Sequence, residues 1–478
     1  MTVTAEIAKD ERWDNFSSLD HRYFEDLEKM QPFLTERALV AYMVRVLVAL
    51  VRVLGRRGIC SQAIVTEVEE AAPRVMVEMV AEIEAKIHHD VRSVVEAFRR
   101  QVSDVAKPYL HWCLTSFDVK STAEAARIRD AIQMILLPEM LELETWLVRT
   151  AYKEATTPIM GRTHGQHAEP ITLGFTFASY ARRFGGRIET LKWALPRLHG
   201  KISGATGAHN SFRLFVDDPL LLEEEVLADP DINLTPDPLS TQITAPEEMM
   251  DIFWVLETAG GVLANIADDM RNLARTEIGE IFELFVRRQS GSSTMPHKRN
   301  PWNFENVKSG WKRLLGRLLP IMLDQISEHQ RDLTNSQSGR DVPESVAIIY
   351  LMVVRLKKTF AKARFDRGRM KKNMKMTKDF SLAEPLYLAL AATGHPTAHE
   401  RVKDLTLDAE EAGTTLARAL AKAEDLVPWL EQMDPKLRRR LQALFRNPRS
   451  YNGIAAEKTI GLCEHLAEQF EFTLEEAA

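Results

Sequence analysis

Three polar segments hold the residue types and spacings in this 478-residue chain that suit acid–base chemistry. Residues 290–306 read SGSSTMPHKRNPWNFEN. Gly291 with paired Ser292 and Ser293 supplies hydroxyls and backbone N–H groups, Pro296 and Pro301 stiffen the stretch, and His297, Lys298, Arg299 and Asn300 add cations and an amide. Donors and cations gathered in this way suit a carboxylate or a developing oxyanion, although the same composition also describes a basic surface loop. The pattern GxxxxGK[ST] does not occur, which removes a P-loop. Residues 161–170, GRTHGQHAEP, place His164 beside Thr163 and three positions before His167. Residues 111–118, HWCLTSFD, offer His111, Thr115, Ser116 and Asp118, and His89 opens HDV further upstream. Histidine changes charge near neutral pH and so can give or take a proton there. Metal binding is the rival use of clustered histidines. No HExxH occurs, however, and Cys60, Cys113 and Cys463 form no CxxC pair, so neither a metal site nor a disulfide framework is expected.

These segments need a scaffold, and the chain is written for helices. Few glycines and prolines (22 and 21) and 8% aromatic residues favour helix over sheet. Apolar residues at three and four spacing predict helices over 65–98, 121–157, 172–198, 247–277, 306–328 and 342–375, broken in the second only by Pro138. Convincing strands are missing, and the breaker-rich stretches 161–170, 200–207, 229–238 and 289–301 read as loops. The apolar run 38–54 is interrupted by Arg45 and Arg52, seven apart and therefore on one helical face, which fits a buried helix with a polar stripe better than a membrane span. A net charge of -6 gives no global basic field for nucleic acid. The polar N-terminus carries no signal-peptide pattern. A cytoplasmic protein without nucleic-acid or membrane partners is expected. Composition shifts predict an N-terminal helical domain over 1–114, a central long-helix domain over 115–367 and a C-terminal helical domain over 368–478.

As a string, GSSTMPHKRNP resembles the GSSxMPxKxNP signature of the fumarase/aspartase superfamily, and TSFD and GRTHGQHAEP match two further family segments in the right order. Within that superfamily, THGQHAEP, the following ITLGF, MPHKRNP, His89-Asp90-Val91, His111 ahead of LTSFD, GKISGATG and Ser240-Thr241-Gln242 most resemble the adenylosuccinate lyase family. Asp20-His21-Arg22-Tyr23 resembles that family's phosphate-binding element, and Ser336 and Arg340 fall where its phosphate-binding Ser and Arg lie.

The resemblance implies an all-α, three-domain fold whose long helices form a twenty-helix core in a homotetramer, with active sites shared among subunits. It implies fumarate release from a succinyl-purine nucleotide without a cofactor. Ser292 would be the general base and His164 the general acid, with His111, Lys298 and Glu305 also in the catalytic set. Arg22, Tyr23, His89, Thr115, Ser116, Asp118, Thr163, Gln242, Ser293, Asn300, Ser336 and Arg340 would bind substrate. Three departures stand out: ITAPEEMM after Gln242, TNSQSGR over 334–340, and Phe117 in place of a small residue. They leave the reaction class in place and keep two alternatives open, a sibling lyase acting on another N-substituted aspartate and a non-catalytic homologue serving as a scaffold.

Overall fold

The computed structural model describes residues 15–284 and 293–475. The long helices are α1 (Glu36–Arg56), α2 (Ser116–Ala131), α3 (Leu137–Lys153), α4 (Leu173–Ala194), α5 (Pro246–Leu273), α6 (Trp302–Leu323) and α7 (Asp341–Phe360). Helix dominates, as its composition requires. The strands among the described residues form three two-stranded pairs. Two of these matter here: β1 (Pro158–Thr163) with β2 (Gln166–Thr172), and β3 (Ile281–Glu283) with β4 (Ala363–Phe365), both antiparallel.

Four sequence expectations change. The segment 161–170 is not a loop but most of the β1–β2 hairpin. The expected helix over 65–98 is three helices, Gln62–Ala71, Val77–Ile87 and Asp90–Arg99. Pro73 follows the first, and His88 ends the second in the left-handed region at φ 54°. The expected helix over 342–375 stops at Phe360, because β4 pairs with β3 before Asp366 caps a new short helix by accepting from Arg369 N at 2.8 Å. Pro138 does not break the helix over 121–157. A single π turn, in which Leu137 N–H donates to Ile132 O, absorbs the missing proline donor and joins α2 to α3.

The chain divides into two compact units. Residues 1–141, 186–264 and 306–355 form the first. Its core is built on α1, whose N-terminus is capped by Thr35 accepting from Ala38 N at 3.2 Å. The apolar run 38–54 is buried, as expected. Its polar stripe is satisfied inside the protein: Arg45 lies 4.2 Å over the Tyr42 ring, and Arg52 pairs with Glu69, Asp229 and Asp231. The Glu25–Arg56 segment and α5 are long and apolar enough to cross a membrane, but 72% and 67% of their most apolar 18 residues are buried within the protein, the pattern of core helices.

Residues 142–185, 265–305 and 356–478 form the second unit. Around Phe177, the rings of Trp146, Tyr180, Phe360 and Phe365 pack edge-on at 5.6–6.3 Å. Farther along, Leu382, Leu386, Leu390, Leu405, Leu416 and Leu426 share a separate apolar cluster.

Candidate active site

In the first unit, α2 begins on the TSFD segment. Thr115 N donates to Asp118 Oδ2 at 2.7 Å, so the fourth residue of the motif closes the helix start on the first. Expected to bind substrate, Asp118 is instead fully enclosed. Its carboxylate accepts from Lys201 Nζ, from Ser203 N at 3.0 Å and from Gly204 N at 3.1 Å, and Lys201 also donates to Gly204 O at 3.0 Å. With no atom facing solvent, Asp118 acts on the site by fixing Thr115, Ser116 and the 201–207 loop in one arrangement.

Ser116 Oγ lies 3.5 Å from His89 Nε2, while His89 Nδ1 accepts from Arg92 N at 3.4 Å as the cap of the following helix. Lys120 donates to Asp90 at 2.6 Å. Burial pushes the His111 imidazole below its usual range, with the Asp118 charge opposing, so His111 favours the neutral ring. His89, His111, Thr115 and Ser116 therefore meet around the start of α2. Gln242 is half-buried. Ser240, two residues earlier, hydrogen-bonds Ser203 at 2.7 Å, and Gly207 presses against the Ser240 backbone. Tyr23 accepts from Asn306 Nδ2 at 3.2 Å, and Arg22, Ser336 and Arg340 are exposed.

In the second unit, His164 and Gly165 are the two residues between the paired Thr163 and Gln166. Both have positive φ, 54° and 77°, the requirement of a tight hairpin turn of the I′ kind. His is among the few non-glycine residues found in that region, and here it puts an exposed imidazole at the hairpin tip. Gly165 has open space around it, so Gly165→Ala meets no neighbour and suffers only the left-handed backbone. We expect it to lower stability by about 1–2 kcal/mol, read as a fall in the thermal midpoint, while Gly165→Asn costs less.

His167 lies 3.4 Å from Thr377 Oγ1, and burial with the nearby Arg162 charge lowers its basicity. Ser293, Lys298 and Glu305 are exposed, and Asn300 is half-buried. Ser292 lies outside the described residues. Glu248, in the divergent ITAPEEMM segment, accepts from His199 Nδ1 at 2.5 Å, and Ser338 of TNSQSGR donates to Asp324 at 2.7 Å.

Sequence reasoning passed over Lys201, Arg162 and Glu280. Arg162 donates two bonds to Glu280, both at 2.9 Å, under the hairpin. Arg162 sits inside a quoted motif, but its partner lies 118 positions away. Among the described residues, no group of three His, Cys, Asp or Glu side chains is placed to hold a metal ion.

Comparison with known proteins identifies the family of the chain. A family described as "Lyase" matches residues 12–316, and one described as "Adenylosuccinate lyase C-terminal" matches residues 327–444. The adenylosuccinate lyase of Pyrococcus abyssi is 34% identical over 94% of this chain and 98% of its own length. That of Archaeoglobus fulgidus is 31% identical over 92% and 96%. A 3-carboxy-cis,cis-muconate lactonizing enzyme from Pseudomonas putida superposes with a TM-score of 0.82 at 25% identity, covering 93% of this chain and 97% of that one. A fumarate lyase from Mesorhizobium sp. BNC1 gives 0.80 at 23%, covering 91% and 97%. The fold is thus the all-α fumarase/aspartase fold, and the chain belongs to the adenylosuccinate lyase family.

Proposed function

We propose that the chain cleaves adenylosuccinate to AMP and fumarate, and acts likewise on the succinyl-carboxamide intermediate of purine synthesis. Ser292 takes a proton from the succinyl carbon beside the carboxylate. The C–N bond then breaks, its electron pair passes to nitrogen, and His164 protonates the leaving nitrogen. Charge that builds on the carboxylate in between needs cations and N–H donors. Lys298, Asn300, Thr115 and Ser116 have the right types, with Ser293 and Thr163 beside them. His111 and His89 orient the substrate, Gln242 holds it, and Glu305 supports the histidines. Arg22, Tyr23, Ser336 and Arg340 hold the phosphate, which suits forked arginine donors. The enzyme works as a cytoplasmic homotetramer whose sites draw on several subunits, on a chain organised as 1–114, 115–367 and 368–478. The observation that carries this reading is the 34% identity to a named adenylosuccinate lyase across 94% of the chain.

A second reading, a sibling lyase that releases fumarate from another N-substituted aspartate, draws on Glu248 and Ser338, which are occupied by His199 and Asp324 in the two divergent segments. Purified protein mixed with adenylosuccinate decides between them: ultraviolet absorbance should change as AMP and fumarate form. A folded protein that gives no turnover, yet adds fumarate to other amines, would move the substrate to the sibling reading. Turnover that survives Ser292→Ala would remove Ser292 from the mechanism.

A further inference from the structure

Two glutamates bracket the short strand β3, and each is used up holding a different part of the site. Glu280 has a side chain with no exposed surface. It receives both Arg162 bonds and a third, from Asn373 Nδ2 at 2.8 Å. Asn373 also donates to Ile278 O at 2.7 Å, and Asp366 N donates to the Glu280 backbone O at 2.9 Å, so both the side chain and the main chain of Glu280 are held. Arg162 lies two residues before His164, at the irregularity in the β1–β2 register.

Glu283, at the other end of β3, is 8% exposed. It accepts from Asn303 N at 3.0 Å, Asn303 Nδ2 at 2.7 Å and Phe304 N at 3.0 Å. Those N–H groups open α6, where a carboxylate is favoured by the helix dipole. They come three to six residues after Lys298 and Asn300 in the chain. The strand between the two acids is tied to β4 and has Ile281 fully buried.

We propose that Glu280 and Glu283 are positioning residues, which fix the His164 hairpin and the start of α6 to one rigid strand. A proton donor held loosely by an ångström loses much of its rate advantage, and a hairpin tip gains rigidity only from what grips its base. Arg162 with Glu280 forms a charged, two-pronged grip there, and Arg is suited to it by its planar fork. The activity arm of the test rests on the proposed adenylosuccinate reading. A second arm, which needs no substrate, keeps the two separable.

The test uses Glu280→Gln, Arg162→Lys and Glu283→Gln in the full chain. Arg162→Lys keeps the charge and loses the fork, and so serves where Glu280→Gln fails to fold. Hydrogen exchange read by mass spectrometry should quicken at least tenfold in the 158–172 peptide for the first two variants, and over 302–306 for the third. With adenylosuccinate, kcat should fall roughly 10–100-fold in each while KM stays within about threefold. Leu405→Ala, in the separate apolar cluster, lowers the thermal midpoint without changing kcat and controls for general loss of stability. Unchanged exchange at both peptides would overturn the inference whether or not the wild type turns over adenylosuccinate. So would faster exchange with wild-type kcat, or a kcat loss matched by Leu405→Ala at equal stability. A wild type that leaves adenylosuccinate untouched but shows the exchange pattern would uphold the positioning role and sink only the substrate.

Discussion

Replacing His164 with Asn should lower kcat by about 10²–10⁴-fold, the range for losing one positioned proton donor. KM should stay near its wild-type value and the thermal midpoint should not move. Asn is the informative replacement because His164 sits at φ 54°, a conformation that Asn adopts almost as readily as Gly. The I′ turn therefore survives, the register of Thr163 with Gln166 is kept, and the change is confined to the ring. Ala at the same place would mix backbone strain with lost chemistry. A fall in kcat alone means that the interaction is made in the transition state and not in substrate binding. If His164→Asn retained more than a third of wild-type kcat, the acid would have to be sought elsewhere; His111, at the start of α2, would be the next histidine to replace. The companion variant Ser292→Ala, assayed in the same way, should lose turnover as well, whereas a folded wild type with no rate on any fumarate-releasing substrate would be a scaffold.

The sequence made much of this legible because helix packing leaves a periodic trace. The buried helix over 38–54 could be read from its apolar run, and even its polar stripe followed from the seven-residue spacing of Arg45 and Arg52. Less could be said where partners are remote in sequence. The family resemblance of the TSFD segment put Asp118 among the substrate ligands; only the fold brings up Lys201, 83 positions later, to enclose it. The hairpin was missed because β1 and β2 show no apolar alternation: their burial follows the packing of each strand and not a two-residue period. One local signal was available. A residue tolerant of positive φ followed by Gly, His164-Gly165, is the kind of pair a two-residue hairpin turn demands. Glu280 and Glu283 carried no signal at all. They resemble any acids in a helical protein until Arg162 and the α6 N–H groups are seen to converge on them.

Lys201→Met should lower the stability of the first unit by about 3–5 kcal/mol, the usual cost of leaving one partner of a buried ion pair uncompensated. Both side chains are wholly shielded from solvent, so water cannot take over the lost bond. Met matches Lys in length and fills the same space, which keeps a cavity from adding to the effect. This pair also differs from one that well-packed apolar residues could replace. Asp118 serves Thr115 N, Ser203 N and Gly204 N as well as Lys201, and removing the carboxylate strands those backbone donors. Asp118→Leu combined with Lys201→Met should therefore not recover the loss. Asp118→Asn with Lys201→Met should recover part of it, because an amide oxygen still accepts and no net charge remains buried. Chemical denaturation of the wild type, Asp118→Asn, Lys201→Met and their double gives the coupling, expected at about 1–3 kcal/mol. The consequence reaches the chemistry. Thr115 and Ser116 lie on the same helix start that Asp118 closes, so the folded fraction of Lys201→Met should also lose at least about tenfold in kcat/KM with adenylosuccinate. A Lys201→Met protein within about 1 kcal/mol of the wild type, well below the expected loss, would mean that the backbone donors alone hold Asp118. The lysine would then have no share in shaping the site.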